Sequence, residues 1–425
     1  MRWDWRSSVA ITISMSKTLF TNGNLLLDDA GTLHRGFDVL VNRNRIEAVG
    51  ASLPPSNGAI MIDLGGRTPM PGLIDAHAHI TGLSLSPRNI AYSETDIIAA
   101  AADYLHSSLM DGFTTIREAG GAGRKIAQLL AQDKMVGPRL FYSGRALTQT
   151  GGGADFRTPD ESTDAHGHVN PLSVMSVVAD GVDEVRRAAR EELRRGATQL
   201  KIFASGGVVF PSDAHATLYE YSLDELRAVV EEASSRGTYV MAHAYTDEAV
   251  RRCLQSGIRS IEHGNYVNEE TVAIMAERGA FIDPTFISLA QRIESASATG
   301  LSPMIVDNLR RTLDRGRQVY TWARRQGVPI GFGTDLWGAD ARRSQLREFE
   351  MRMEIDDSVH IIRSATTINA ELLMQKGTLG TIAPGACADL LVIDGDPLSD
   401  LKVMTDPRKR LKLIMNDGHI VKNEL

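Results

Sequence analysis

"SLDELRAVVEEASSRGTYVMAHAY", residues 222–245, reads as a helix that stops followed by a strand that starts. Ser222 is an N-cap with Glu225 at the reciprocal capping position, and Gly237 ends the helix before the apolar run of 238–245. Working outward, helical text of this kind separates most of eight candidate strands, at 73–80, 114–120, 139–145, 199–205, 238–245, 260–266, 280–286 and 329–335. Strand and helix in alternation over that many units predict an α/β fold, a (β/α)8 TIM barrel whose active site lies at the C-terminal ends of the strands. A doubly wound open sheet is the alternative, but no Gly-rich dinucleotide fingerprint follows the first strand.

The text on either side of the barrel is different. Residues 15–70 carry short alternating runs broken by Asn-Gly, Asp-Asp and Gly-Gly, which is hairpin grammar, and the same grammar returns over 376–425. The expectation is one small β-sandwich built from both chain termini, flanking a barrel at 71–375. Residues 1–14 resemble a secretion signal only faintly: the apolar part is short, diluted by Ser and Thr, and followed by no small-residue cleavage site. They are read as a disordered extension ahead of Met15.

Composition narrows the function classes. A net charge of -7 with no basic run excludes the electrostatic footprint of a nucleic-acid or polybasic membrane binder. No segment approaches the ~20 apolar residues of a membrane span. Cys253 and Cys387 are the only cysteines, too few for a disulfide scaffold or a thiolate metal site, so the expected compartment is reducing and cytoplasmic. A metal here would be held by His, Asp, Glu or a modified side chain.

The chemistry-bearing residues fall at strand ends. His77 and His79, in "HAH", are two apart on the first strand and share a face, which in a barrel is the interior. A lone histidine there would read as a core residue bonded to backbone; a same-face pair reads better as metal ligands. His243 near the end of the fifth strand, His263 on the sixth and Asp335 on the eighth add three more ionisable groups at the same end of the barrel. Lys201 lies in "ATQLKIFASGG", 197–207, among Leu200, Ile202 and Phe203. An unpaired ammonium in an apolar strand costs several kcal/mol. Four imidazoles and one carboxylate could hold two divalent cations only with an anion between them. A buried lysine beside two cations favours its neutral amine, which can add carbon dioxide and become a bridging carbamate. The bland alternative is a snorkelling or ion-paired lysine.

The combination "PGLIDAHAH", a lysine on the fourth strand, "HAY", "EHG", "GTD" and the terminal "GTIAPGACADLLVID" resembles the amidohydrolase superfamily over nearly the whole chain from Met15. That resemblance implies two divalent metal ions, with zinc the default. It puts His77, His79 and Asp335 on one metal, His243 and His263 on the other, and carbamylated Lys201 across both. Within the superfamily "KIFASGG" and "HAYTDEAVRRCLQSGIRSIEHG" are most similar to prolidase-like and Xaa-Arg or Xaa-Lys dipeptidases, a branch in which some relatives hydrolyse the amide of ochratoxin and release phenylalanine. Imidazolonepropionases and related ring hydrolases are more distant. The resemblance also suggests a homo-oligomer, as large as an octamer.

The site then predicts an amide hydrolase acting through a metal-bridging hydroxide, with Asp335 carrying a proton from the attacking hydroxide to the leaving amine. The expected partner is a small-molecule amide bearing a carboxylate. Tyr245, two residues after His243, could bind that carboxylate, as a tyrosine at this place is expected to do in the resembled dipeptidases, or could be half in the core with its hydroxyl satisfied. The segment from Ala146 to Leu172 suits a substrate-facing loop, with His168 the carbonyl-polarising donor and His166 the fallback. Resembled relatives often have a histidine where this chain has Gly153, so loop contacts do not transfer there. Arg157, Arg347 and His215 are further candidates for a carboxylate, and Leu336 and Trp337 for an apolar pocket or for packing at the rim. Rival functions are a cyclic-amide hydrolase or a deaminase on the same fold, of which a mononuclear deaminase would not need Lys201, and a non-catalytic scaffold, which should have lost ligands. None of the six is missing.

Overall fold

The computed structural model describes residues 17–26, 32–83, 92–157, 175–208, 219–338 and 344–425. Strands of a central sheet need backbone partners on both edges, and in the unit Leu73–Lys376 those partners run in a closed ring. Leu73–Ala78 pairs in parallel with Phe113–Glu118, and that strand with Arg139–Tyr142. Thr198 N–H then donates to Tyr142 O at 2.9 Å, leading into Leu200–Phe203. From there Val240–Thr246, Ser260–Tyr266 and Phe281–Asp283 follow in parallel order. The segment 329–335 closes the ring: Gly331 N–H donates to Ile282 O at 2.8 Å, and on its other edge Ala76 N–H donates to Phe332 O at 2.8 Å. Parallel neighbours need long crossovers, which helices such as Leu223–Ser235 supply, with the capping box of Ser222 and Glu225 in place and Gly237 at φ +67° behind it.

The alternation of side chains sorts each strand into two faces. Leu200 and Ile202, Val240, Ala242 and Ala244, Ile261, Ile282 and Ile330 join the main apolar cluster with helical Leu226, Val229, Val250 and Leu254. Fully burying a Leu, Ile or Val side chain is worth about 1.5–3 kcal/mol, so this outer face holds the ring together. The opposite face is left to Lys201 and Phe203, His243 and Tyr245, which line a pocket.

Three strands differ from expectation. The seventh, expected to run to Phe286, stops at Asp283, and Phe286 opens the helix Phe286–Glu294. The third ends at Tyr142; Gly144 at φ +71° breaks it, and the chain resumes as Ala146–Thr148, which pairs with Ser176–Val178. The segment expected as a loop from Ala146 therefore starts as a strand. The eighth, 329–335, carries a single bridge, Ile282 with Ile330, and is otherwise irregular. The cause is close packing. A Cβ on Gly333 would collide with the Asp283 carboxylate and lie 2.6 Å from His77 Cβ, and one on Gly331 would lie 3.1 Å from Asn369 Oδ1. Glycines admitted for space carry little strand propensity of their own. Gly333→Ala should accordingly cost about 1–3 kcal/mol through overpacking, read as a lowered midpoint in denaturant unfolding; an unchanged midpoint would show that the neighbours give way freely.

The second unit joins both ends of the chain, residues up to Gly72 with Gly377–Leu425. It contains two four-stranded sheets. In one, Lys17–Leu26 lies between Leu33–Asn42 and Ile60–Asp63, with Arg45–Ala51 outside Leu33–Asn42. In the other, Thr68–Pro71 pairs antiparallel with Leu390–Ile393, followed by Leu411–Asn416 and His419–Asn423. Phe20, Val39 and Ile46 share one apolar cluster with Leu390, Val392 and Leu413. Among the described residues no helix is long and apolar enough to cross a membrane. The expectations for residues 1–14, His166, His168 and His215 fall outside the described residues.

Candidate metal centre

The first strand, Leu73–Ala78, carries Asp75 and His77, and His79 follows just past its end, all three buried. His79 Nδ1 lies 3.2 Å from Gly120 O and His77 Nδ1 lies 2.7 Å from Glu262 Oε2. A carbonyl or carboxylate oxygen only accepts, so each imidazole donates from Nδ1 and keeps its lone pair on Nε2. Both lone pairs point at one oxygen: Asp335 Oδ1 is 3.1 Å from His79 Nε2 and 3.5 Å from His77 Nε2. Three acceptor atoms facing one another with no hydrogen between them repel, and a cation among them removes the conflict. The ligand atoms of His77, His263 and Asp335 all lie within 4.8 Å of one another.

His263 Nδ1 is occupied by Thr285 Oγ1 at 2.8 Å. The rings of His263 and His243 stand 4.7 Å apart, and His243 Nε2 is buried with no hydrogen-bond partner. A buried imidazole nitrogen left without a partner costs about 1–3 kcal/mol, which a metal bond would offset. Lys201, 1% exposed, lines the same pocket. The donor set thus fits divalent metal: four imidazoles, of which His77 and His79 are fixed in one tautomer, one shared carboxylate, and a lysine among them.

Electrostatics agree. Burial, with Lys201 adding to it, pushes His77 down to about 4, and burial pushes His263 down to about 3. His243 is held well below the usual imidazole range, by burial and then by His263. The three are neutral at physiological pH, the form in which an imidazole can bind a metal. Burial raises the Asp335 carboxyl, but His77, His79 and His263 outweigh it and hold it well below the ordinary value. Burial brings Lys201 down to about 8, against the pull of Glu262 and Asp335.

Several groups that shape the site were not read from the sequence. Glu262 accepts from Arg117 Nη2 at 3.0 Å through both oxygens and from Ser260 Oγ at 2.6 Å, and fixes the His77 tautomer. Asp75 accepts from Thr334 Oγ1 at 2.7 Å and Gln345 Nε2 at 2.9 Å, tying the first strand to the eighth. Glu118 is buried, raised to about 8 by desolvation, and accepts from Gly120 N–H at 3.1 Å. Asp335 itself accepts from Ser288 Oγ at 3.0 Å and from Trp337 Nε1 at 3.2 Å. Two of the expected ligands have left-handed backbone, His263 at φ +74° and Asp335 at φ +49°, a conformation that costs a non-glycine residue about 1–3 kcal/mol. At His263 it has a visible use: Glu262 and His263 are sequence neighbours, yet both reach His77.

The remaining candidates sort as follows. Tyr245 lines the pocket and its ring stacks on His263 at 4.8 Å. Gly153 lines it too, and a Cβ there would sit 3.2 Å from Ser205 O and 3.3 Å from Gly206 Cα, so a larger residue would need the loop to shift. Trp337 lines the pocket with its ring 4.4 Å from His79, whereas Leu336 is fully buried in the main apolar cluster. Arg157 is held by Asp155, at 2.7 Å through both Nε and Nη2, and Arg347 by Glu294, at 2.9 and 2.6 Å. Neither lines the pocket; Arg292 does. Ser205 Oγ is engaged, donating to Gly206 O at 2.8 Å and accepting from Tyr245 N–H at 2.9 Å.

A ring of parallel strands with inward histidines, a lysine and an aspartate at one end defines a class, and comparison with known proteins agrees: residues 68–421 match the model of the amidohydrolase family, to which the chain belongs. It is a hydrolase acting on amide bonds. Among curated proteins it is similar to the ochratoxinase of Aspergillus niger, 31% identical over 352 residues that cover 80% of this chain and 72% of that protein. Among solved structures it is similar to a prolidase complexed with N-methylphosphonate-L-proline, with a TM-score of 0.91 at 38% identity over 96% of this chain and 100% of that one. A Xaa-Pro dipeptidase with methionine bound in its active site gives a TM-score of 0.81 at 26% identity over 96% and 100%.

Proposed function

We propose that the protein is a binuclear metal-dependent hydrolase that cleaves the amide bond of N-acyl amino acids or dipeptides bearing a free carboxylate, with ochratoxin A, an amide of phenylalanine, among the candidate substrates. The observation that carries this is the convergence of His77, His79, Lys201, His243, His263 and Asp335 on one pocket. His77, His79 and Asp335 would hold one cation and His243 and His263 the other, with Lys201, as its carbamate, bridging the two; zinc is the expected metal. When bound, the cations would lower the pKa of water and polarise the scissile carbonyl. Asp335, kept ionised by the imidazoles around it and fixed by Ser288 and Trp337, takes the proton of the attacking water and delivers it to the leaving nitrogen, because an amide anion is too poor a leaving group to depart alone. Tyr245 bounds the substrate space beside His263. His168 as the carbonyl-polarising donor rests on the sequence alone.

Several features complete the proposal. The two terminal sheets are read as a small β-sandwich, supported by their shared apolar cluster, with boundaries at 15–70 and 376–425 around a barrel at 71–375. A homo-oligomer as large as an octamer, a cytoplasmic location and small-molecule partners, with neither nucleic acid nor membrane, remain the reading from sequence. The test is a screen of the zinc-loaded enzyme, with bicarbonate present, against N-acyl amino acids, dipeptides and ochratoxin A, beside a lactam and a hydantoin. Release of a free amino acid supports the proposal. Turnover of the lactam or hydantoin alone would assign the site to cyclic amides.

A further inference from the structure

The Gly-rich stretch "AGGAGRK", residues 119–125, touches the metal centre only through Gly120 O, which accepts from His79. Its last five residues line a second cavity, of ≈ 270 Å³, that shares no lining residue with the pocket of the metal centre. Four cations border this cavity, Arg124, Lys125, Arg145 and Arg195, against two carboxylates, Glu94 and Glu192, in a chain whose net charge is -7. The carboxylates do not use up the donors. Glu192, 2% exposed, accepts from Arg145 Nε at 2.9 Å and Nη2 at 2.8 Å, which leaves Nη1. Arg195 gives Nε to Glu191 at 2.8 Å, and its Nη1 stays 4.0 Å from Glu192. Lys125 pairs with Glu94, whereas Arg124 makes no hydrogen bond or ion pair among the described residues. Gly121 N–H donates to Gly144 O at 2.9 Å and Arg145 N–H to Glu192 at 3.2 Å, so the two loops that carry these cations are tied together.

Backbone adds to the positive field. Arg124 opens the helix Arg124–Ala131, whose N-cap, Gly123, makes no side-chain cap bond and whose first turn holds no acidic residue. A Cβ on Gly123 would meet nothing within 4 Å, so the space beside that helix end is open. A carboxylate can satisfy one guanidinium fork. A phosphate ester is close to dianionic with three terminal oxygens, and can meet a helix end and two arginines together. The volume approaches the ~300 Å³ at which small-molecule sites begin, which leaves room for an organic part besides the phosphate. We infer that this cavity is a binding site for a phosphate monoester, with the phosphate between Arg124, the start of the helix and the spare edge of Arg145, and the organic part against Tyr142 and the arginine stems. The site stands apart from the amide hydrolase reading, and the two can fail separately.

The test is calorimetric titration of the metal-loaded full-length protein with inorganic phosphate and with phenyl phosphate, in the wild type, Arg124→Gln and Gly123→Asp. The new aspartate would cap the helix and put its own carboxylate where the phosphate sits. Phenyl phosphate should bind more tightly than phosphate, and its affinity should fall about 10-fold in Arg124→Gln and about 30-fold or more in Gly123→Asp. Metal content should stay as in the wild type, and the melting temperature of Gly123→Asp should rise by about 1–2 °C. Phosphate held by the metal ions would survive both substitutions, so unchanged affinities overturn the site, as does a wild type that shows no saturable binding at millimolar concentration. Equal affinities for phosphate and phenyl phosphate overturn the ester and leave a site for the free ion. Should Gly123→Asp melt below the wild type, Arg124→Gln combined with Lys125→Gln decides by the same criterion, since both residues are exposed.

Discussion

Lys201→Ala should abolish turnover, by at least ~10³-fold, and leave the protein with no more than one tightly bound metal per chain. The size of the effect follows from what the side chain does. Removing a group that merely orients a metal ligand typically costs 10- to 100-fold in affinity or activity, on the order of 1–3 kcal/mol, so a ligand shared by two cations should cost more. Without a bridging anion two cations would repel across a pocket whose other donors are neutral imidazoles and one carboxylate. Metal analysis by mass spectrometry and kinetics on the same preparation check both parts. Because Lys201 is buried, the alanine variant leaves room for a small carboxylate, and partial recovery in millimolar acetate or propionate would identify the lost function as anionic. A pH dependence follows as well. The neutral amine is the form that adds carbon dioxide, and burial brings Lys201 down to about 8. At fixed dissolved carbon dioxide, uptake of the second metal by apoprotein should therefore rise with pH through about 8 and then level off; an ordinary lysine would keep rising to ~10.4. Two metals and wild-type turnover in Lys201→Ala would remove the carbamate from the proposal.

The expected ligand residues were legible because each is a chemical oddity in apolar text at a strand's end. Asp75, Arg117, Glu118 and Glu262 are oddities of the same kind, buried charges in strands, and the test that singled out Lys201 would have found them. They belong to no ligand pattern of their own; Glu262, held by Arg117, orients His77, and Asp75 ties the first strand to the eighth. Glu262 was also hidden by geometry. In a regular strand the neighbour of an inward histidine faces outward, and only the left-handed backbone of His263 lets both point inward. Arg292 gave no such signal, since "FISLAQRIE" is ordinary amphipathic helix and an arginine there reads as its solvent side. Its burial comes from how that helix docks against Asp335, a tertiary fact. The irregular eighth strand is the converse case. "GFGTD" carries glycines at alternate positions because Asp283, His77 and Asn369 crowd them, and a propensity reading records the glycines without the crowding.

Asp335→Asn should lower kcat for an amide by about 10³- to 10⁴-fold, at the upper end of what general acid–base groups supply. Asparagine keeps the shape: a carbonyl in the place of Oδ1 can still accept from Trp337 and the amide nitrogen in the place of Oδ2 can donate to the Ser288 hydroxyl, so the barrel should fold unchanged, but the side chain has neither the charge nor the basicity to carry a proton. Two losses are superposed in such a variant, a metal ligand and a proton carrier, and the leaving group separates them. An amide nitrogen must be protonated to depart, whereas an activated ester carrying the same acyl group leaves as a stable anion. If Asp335 delivers the proton, the variant should lose far more against the amide than against the ester, with the ester reduced about 10-fold or less once metal content is matched to the wild type. Equal losses on both substrates at equal metal content would leave Asp335 as a ligand only and would move the proton transfer to another group. The geometry argues for the first outcome. Asp335 lies 3.1 and 3.5 Å from the two imidazole nitrogens that would share its cation, and its second oxygen is oriented by Ser288 from the neighbouring helix, which leaves the carboxylate held at the pocket with a fixed orientation.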